Sequence, residues 1–458
     1  MFIPDVMRKG KFSHASDWKK QYEERICSAE EAAMAVRNGD VVSMTGGANF
    51  PAAFVTALCK RAAAENFCDL KFIAPFNLRT DFEYAKAEYK EFISSSSYFF
   101  GAERVFAKQG NFQFVPIHLG QTCDYLSARK PHVVSITCSP PDENGWMSRS
   151  LWGAHLCRDA YQSPDCRVLV ITINRDMPFL NSEGERHLLT HVSEADFILE
   201  DNHELPEIGS IDSSDTDKRI ADYIAEMIDD GACLQFGQGS LADAIGNNLV
   251  YAKKKDLGLQ SEVVSNCVAN LMKQGVINNS RKKTFRGKSL SSYVVGDRTL
   301  WDYCHLNEDF VFTEIDFVNK AANICQNDNV VSINNAMTID LTGQVSSESI
   351  GPVQYTGSGG QLEWVYGSQL SKNGKSIIAI NSAYRDKNGQ MQSKIMPALP
   401  LGSIVTTPRT CVQYVVTEFG VANLKFKGVR DRVEALIGIA HPDFRSELRF
   451  EAKQQGLL

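Results

Sequence analysis

At 458 residues the chain is longer than one compact core supports, so two or three domains are expected. Its 43% hydrophobic and 22% charged residues describe an ordinary globular protein. A net charge of −7 and a pI near 5.8 argue against a nucleic-acid or anionic-membrane surface as its main business.

The N-terminus, Met1-Phe2-Ile3-Pro4-Asp5, is followed by Lys and Arg but lacks an apolar stretch of signal-peptide length. No window approaches the roughly 20 apolar residues of a membrane span. The 12 cysteines are scattered and no pair has Cys-x-x-Cys spacing. That pattern predicts reduced, mostly buried thiols in a cytoplasmic protein, not a disulfide framework or a zinc site. The basic runs Lys253-Lys254-Lys255 and Arg281-Lys282-Lys283 read as solvated turns, though either could meet a phosphate.

Taken in order, residues Asp17 to Arg37 read as helical, with Ser28 and Glu31 spaced as a capping box. Asp40 to Met44 is a short buried-strand pattern that runs into Thr45-Gly46-Gly47 and a helix from Pro51 to Ala64. This is a strand, glycine turn, helix unit. Leu70 to Ala74, Phe114 to Ile117, His132 to Thr137 and Arg167 to Ile173 read as further strands. Strands alternating with helices predict α/β architecture around largely parallel sheets.

Between Glu204 and Asp215 the composition turns polar, which places a boundary between domains 1–210 and 211–458. A helix from Asp217 to Asp229 follows, and then the first unit recurs. Gly39 lies eight residues before Gly47, and Gly231 lies eight before Gly239. Each pair brackets an apolar strand and precedes a helix, which favours two related α/β halves. The second half continues through Leu257 to Asn266, a turn at Asn278-Asn279-Ser280, a strand from Val330 to Asn335 and the segment Asp340 to Gln344. It closes with the loop Gly357-Ser358-Gly359-Gly360, a strand from Gln413 to Glu418 and a helix from Arg430 to Ala440.

Four features could carry chemistry, and each has a plain reading beside it. Glu262 lies among valines, where a lone glutamate is usually a strand residue on a solvated face. Gly237-Gln238-Gly239 follows an apolar strand, as in turns whose backbone N–H groups cradle a phosphate. It lacks the third glycine of the dinucleotide fingerprint and the lysine of a P-loop, so a simple tight turn stays open. Three glycines in four positions at Gly357–Gly360 suit a close backbone approach, such as donors to an oxyanion, or else a surface loop. His187 and His191 are spaced i,i+4 without the following glutamate of a zinc-peptidase helix, so structural histidines and no metal are expected. No Gly-x-Ser-x-Gly elbow is present.

Over nearly the whole chain the pattern also resembles a known family. Gly258-Leu259-Gln260-Ser261-Glu262, Ser332 to Ala336, Asp340 to Val345, Tyr355 to Gln361, Val416 to Gly420 and Ala435 to Arg445 are similar to family I coenzyme A transferases. Ser139 to Gly145 adds a likeness to the acetyl-CoA hydrolase/transferase group, whose members include butyryl-CoA:acetate and 4-hydroxybutyrate CoA-transferases. The resemblance implies two tandem CoA-transferase-like (NagB/RpiA-like) α/β domains in a homodimer or higher homo-oligomer. It implies acyl-CoA and short-chain carboxylates as substrates, with neither nucleic acid nor membrane as a partner. No cofactor would be permanently bound, and coenzyme A would be a substrate and a transient covalent adduct.

Carried over residue by residue, Glu262 would be the nucleophile of a ping-pong exchange through a glutamyl–CoA thioester. Gly237, Gln238, Gly239, Ser240 and Leu241 would form the CoA-binding turn. Asn334 and the loop carrying Gly357, Gly359 and Gly360 would line the CoA and oxyanion side. Arg385 stands where relatives carry lysine and would meet CoA, and Glu418 would approach the active site. Gln260 replaces a histidine two residues before the nucleophile. Glu363 and Trp364 replace the family's usual aspartate and phenylalanine. The alternatives are an acyl-CoA hydrolase using the same glutamate and a non-catalytic metabolite-binding module.

Overall fold

A computed structural model describes residues 17–74, 76–78, 83–99, 101–105, 107–210 and 212–458. The N-terminal pentapeptide considered above lies outside them. The chain divides into two compact units, Met1–Ile208 with Ser291–Phe317, and Gly209–Leu290 with Val318–Leu458. The sequence places the boundary at 210/211; here the first unit's opening segment ends at Ile208, and residues 291–317 belong to it before the chain completes the second.

The first unit is built on seven parallel strands. Across the sheet they run Phe112–Phe114, Ile93–Ser97, Leu70–Ile73, Val41–Met44, Val133–Cys138, Val168–Ile173 and Phe197–Glu200. Val42 lies opposite both Phe72 and Val133, which puts the first strand in the middle. Central strands such as Val133–Cys138 and Val168–Ile173 are buried along their whole length. That burial on both faces is why they read as continuous apolar runs rather than as alternating ones. The strand Ile93–Ser97 is different, because it buries Ser95, Ser96 and Ser97. The expected long N-terminal helix is two helices, Trp18–Arg25 and Ala29–Ala33. Ser28 caps the second: its Oγ accepts from Glu31 N at 3.1 Å, while Glu31 Oε2 accepts from Ser28 N at 2.8 Å.

The second unit is built on a six-stranded sheet, in the order Gly258–Leu259, Cys233–Gln235, Val330–Asn335, Lys375–Ala379, Tyr414–Thr417 and Gly420–Asn423. All neighbours are parallel except the last pair, a hairpin. The recurrence seen in the sequence has a backbone basis. Gly39, Gly47, Gly231 and Gly239 have φ of 88°, 58°, 81° and 103°, where a side chain on Cα is strained. Each pair brackets a strand (Val41–Met44, Cys233–Gln235) and leads to a helix, Ala52–Ala64 or Ser240–Tyr251.

Two sequence expectations need correction. Cys123 and Cys157 are joined in a disulfide, so the thiols are not uniformly free. Their Cα atoms lie 5.5 Å apart because two helix starts converge, a proximity that a separation of 34 residues does not reveal. Lys282 is not in a solvated turn. It is 5% exposed, and its Nζ donates to Leu259 O and Lys288 O, both at 2.7 Å. No helix among the described residues is long and apolar enough to cross a membrane.

Candidate active site

In a doubly wound sheet the carboxyl ends of the strands part where the strand order reverses, and the crevice left there takes ligands. In the second unit the chain moves from Cys233–Gln235 outward to Gly258–Leu259, then returns to the other side of the first strand with Val330–Asn335. The switch point therefore lies between Cys233–Gln235 and Val330–Asn335. A cavity of about 130 Å³ opens there, lined by Gln235, Phe236, Gly237, Gln238, Leu241, Ala242, Ile245, Glu262, Ile333, Asn334 and Asn335. Gln235 ties its two walls together, as its Oε1 accepts from Ile333 N at 3.2 Å and from Asn334 Nδ2 at 3.4 Å.

Glu262 enters this cavity from the end of the strand Gly258–Leu259, and the residues before it hold it in place. Gln260 N donates to Leu234 O and Ser261 N to Leu290 O, each at 3.1 Å. Ser261 Oγ donates to Phe236 O at 3.0 Å. The carboxylate has a specific reception: its Oε1 accepts from Asn319 Nδ2 at 2.6 Å and from Trp364 Nε1 at 3.1 Å. Asn319 and Trp364 are themselves fully buried. Asn319 Nδ2 also reaches Glu363 Oε2 at 3.1 Å, and Trp364 Nε1 reaches Asn319 Oδ1 at 3.2 Å.

The helix Gln361–Leu370 begins beside this carboxylate, with Gly360 as its N-cap. A Cβ on Gly360 would fall 1.7 Å from Glu262 Oε1 and 2.3 Å from Asn319 Nδ2. The absence of a side chain is thus a condition of the arrangement. A helix N-terminus favours a carboxylate, because its first N–H groups and the macrodipole both present positive charge.

Of the residues singled out from sequence, Gly237, Gln238, Leu241, Asn334 and Glu262 line one cavity, and Gly360 packs on the Glu262 carboxylate. Gly239 and Ser240 cap and start the adjoining helix. Gly357 and Gly359 precede Gly360 in the loop, where Gly359 has a φ of 61°. Three others are placed differently. Gln260 is 1% exposed and does not line the cavity. It donates to Val318 O at 3.3 Å and accepts from Asn327 Nδ2 at 3.0 Å, bracing the backbone beside Asn319. Glu418 also lies off the cavity wall, held through both oxygens by Ser382 N at 2.9 Å and Ser382 Oγ at 2.6 Å. Arg385 is exposed on the hairpin Ala383–Arg385/Met391–Ser393, donating to Gly389 O at 2.9 Å.

Asn319 was missed from sequence, because nothing in Phe317-Val318-Asn319-Lys320 signals a role and its partner lies 57 residues away. Trp364 and Glu363 were visible only as departures from a family pattern.

His191 ends the short strand Leu189–His191 and His187 lies two residues before it, so the two do not share a helix face. Nε2 of His187 lies 3.0 Å from Arg158 Nη1, and burial, helped by nearby Arg158 and Arg149, pushes its pKa down to about 4. Nε2 of His191 meets Asn144 O at 3.0 Å. Among the described residues, Cys123, Cys157, Glu314 and Asp316 form a cluster of metal-ligand types. The first two are joined in the disulfide, and Glu314 pairs with Arg149 at 2.9 Å.

A switch-point cavity with a held carboxylate on its wall is where an α/β protein of this kind is expected to place a ligand or active site. Comparison with known proteins specifies the class. The acetyl-CoA hydrolase/transferase N-terminal domain matches residues 10–208 and the C-terminal domain matches 296–452. The chain belongs to the acetyl-CoA hydrolase/transferase family. It is 34% identical over 442 residues to a butyryl-CoA:acetate CoA-transferase of Anaerostipes caccae, covering 95% of this chain and 98% of the relative. It is 35% identical over 443 residues to a 4-hydroxybutyrate coenzyme A transferase of Clostridium kluyveri, covering 96% and 100%. Among solved structures, RipA from Yersinia pestis superposes with a TM-score of 0.89 at 33% identity, over 96% of this chain and 100% of that one. The sequence-derived expectation of a two-domain α/β enzyme of the CoA-transferase type is met.

Proposed function

We propose that this chain transfers coenzyme A between short-chain carboxylates, with Glu262 as the nucleophile. The observation that carries the reading is the Glu262 carboxylate, set at the switch-point cavity and held through Oε1 by Asn319. A carboxylate oxygen attacks the acyl-CoA thioester carbon, and the C–S bond breaks to give an acyl–glutamyl anhydride and CoA thiolate. The thiolate then attacks Cδ of Glu262, and the C–O bond to the acyl group breaks. The first carboxylate leaves, and CoA remains bonded to the protein as a glutamyl thioester. An acceptor carboxylate reverses both steps, so one difficult exchange becomes several easier ones.

The cavity's size suits a small acyl group. Its ~130 Å³ is room for several water-sized groups, one of which needs roughly 10–15 Å³ of such space. The open turn at Gly237–Gly239 and the following helix N-terminus are suited to the phosphates of CoA: a Cβ on either glycine would meet nothing within 4 Å. The pairs named for the relatives, butyryl-CoA with acetate and 4-hydroxybutyrate, are the first substrates to try.

The test is peptide mass spectrometry after mixing the protein with butyryl-CoA and no acceptor. CoA bonded to the peptide containing Glu262, and discharged by acetate, is the expected result. Glu262→Gln should form no adduct and lose exchange while still binding acyl-CoA. Unchanged exchange in that variant would sink the assignment, and steady CoA release without an adduct would favour the hydrolase.

A further inference from the structure

Oε1 of Glu262 receives two side-chain N–H groups of different kinds, one from the amide of Asn319 and one from the indole of Trp364. An indole nitrogen only donates, so this contact has a fixed sense. It is also a divided contact. The same N–H lies 3.1 Å from Glu262 Oε1 and 3.2 Å from Asn319 Oδ1, shared almost equally while the carboxylate is at rest. Trp364 itself is 0% exposed, so the donor works in surroundings that screen charge poorly.

A resting carboxylate spreads one negative charge over two oxygens. When CoA thiolate attacks Cδ of the acyl–glutamyl anhydride, the former carbonyl oxygen takes the whole charge. If the other oxygen has become the bridging atom of the anhydride, the oxygen that charges up is Oε1. A donor at 3.1 Å that is shared at rest is drawn fully to Oε1 at that moment. The interaction therefore strengthens in the transition state, as catalysis requires.

Resting on the reading of Glu262 as nucleophile, we propose that Trp364 Nε1–H is a catalytic oxyanion donor for the step that forms the glutamyl–CoA thioester, and that Oε2 is the attacking oxygen. Electrons move from the thiolate sulfur to Cδ and from the C=O bond to Oε1. They return as the C–O bond to the acyl group breaks and the carboxylate leaves. No proton or further reactant is needed. The donor also sets the fate of the anhydride: the faster the thiolate captures it, the less time water has to hydrolyse it. A phenylalanine in the same place would fill most of the space and supply no N–H.

The test compares Trp364→Phe with a protein carrying β-(3-benzothienyl)alanine at 364, which keeps the bicyclic shape and replaces N–H by sulfur. Both should lower kcat for exchange by about 100- to 1,000-fold, the order expected for loss of one oxyanion donor. KM for acyl-CoA should hold. Adduct formation should slow in single turnover, and a larger share of acyl-CoA should be hydrolysed without an adduct. A benzothienyl protein that exchanges and partitions like the parent would overturn the proposal, and any loss in Trp364→Phe would then be packing alone. Glu262→Gln is run alongside. Its retention of exchange would remove the nucleophile and the donor proposal together, whereas a dead Glu262→Gln with an unaffected benzothienyl protein removes the donor proposal only.

Discussion

The space between Glu262 and Gly360 is filled so closely that one methyl group decides it. A Cβ at position 360 would overlap Glu262 Oε1 and Asn319 Nδ2, and both are side-chain ends that would have to move. Gly360 has a φ of −99°, so alanine meets no backbone strain there, and the effect falls on the Glu262 carboxylate and the Asn319 amide that holds it. Gly360→Ala should keep the fold by circular dichroism and melt close to the parent. Exchange should fall about 100-fold or more, the usual result of shifting a reacting group by about 1 Å. Parental turnover in Gly360→Ala would mean that the carboxylate as placed is not the reacting one. At this scale the sequence was legible in an uneven way. The glycines could be picked out by type and spacing, and Glu262 through the family resemblance. Asn319 could not, because an asparagine acting across 57 residues has no local signature.

The element that presents Glu262 is a strand of two residues, Gly258–Leu259, too short to be rigid by itself. Its support comes from Lys282, whose stem lies where a Cβ on Gly258 would be, at 2.7 Å, and whose ammonium caps Leu259 O. Burial pushes the Lys282 pKa down to about 8, below the roughly 10.4 of an unfolded lysine. Between these values the unfolded chain holds the proton and the folded one does not, so this group's contribution to stability rises with pH across that window. Below about 8 the buried ammonium is a constant cost. The stability of the parent relative to Lys282→Met, from urea unfolding, should therefore increase between about pH 7.5 and pH 9.5. A flat difference would show that Lys282 does not titrate there, and other groups cancel in the comparison. The run Arg281-Lys282-Lys283 looked solvated because charge was all the sequence offered, and only the tertiary fold reveals which of three lysine or arginine stems turns inward. The strand Ile93–Ser97 was missed for the converse reason: its buried serines carry no hydrophobic pattern. Where burial covers both faces of an apolar strand, as in Val133–Cys138 and Val330–Asn335, the strand was legible to within a residue or so.

At the scale of the whole chain, each unit repeats the same design at its switch point but completes it differently. In the first unit the reversal falls between Val41–Met44 and Val133–Cys138, and buried side chains occupy it. Thr45 Oγ1 donates to Asn49 O at 2.7 Å and accepts from Thr137 N at 3.1 Å. Asn49 Nδ2 donates to Thr137 O at 2.8 Å and to Arg149 O at 2.7 Å. In the second unit the equivalent place is the cavity beside Glu262. The first unit thus fills its crevice with its own hydrogen-bonded side chains, whereas the second leaves a cavity beside Glu262. The first unit also holds the Cys123–Cys157 bridge, which closes a loop between residues 34 apart. A loop of that length should add about 3–4 kcal/mol through the unfolded chain. Both half-cystines lie in the first unit, so the benefit belongs to that unit alone. A chain of two compact units need not melt in one step. Calorimetry with and without reductant should show one transition falling by several degrees, at roughly 2–4 °C per kcal/mol for units of this size, and the other unmoved. Cys157→Ala should reproduce the shift without reductant, since the Cys157 side chain makes no capping bond to the helix that follows it and alanine adds none. A parent whose transitions ignore reductant would mean that the bridge is not formed in the protein as isolated. The cysteines would then be the reduced thiols expected from their scatter.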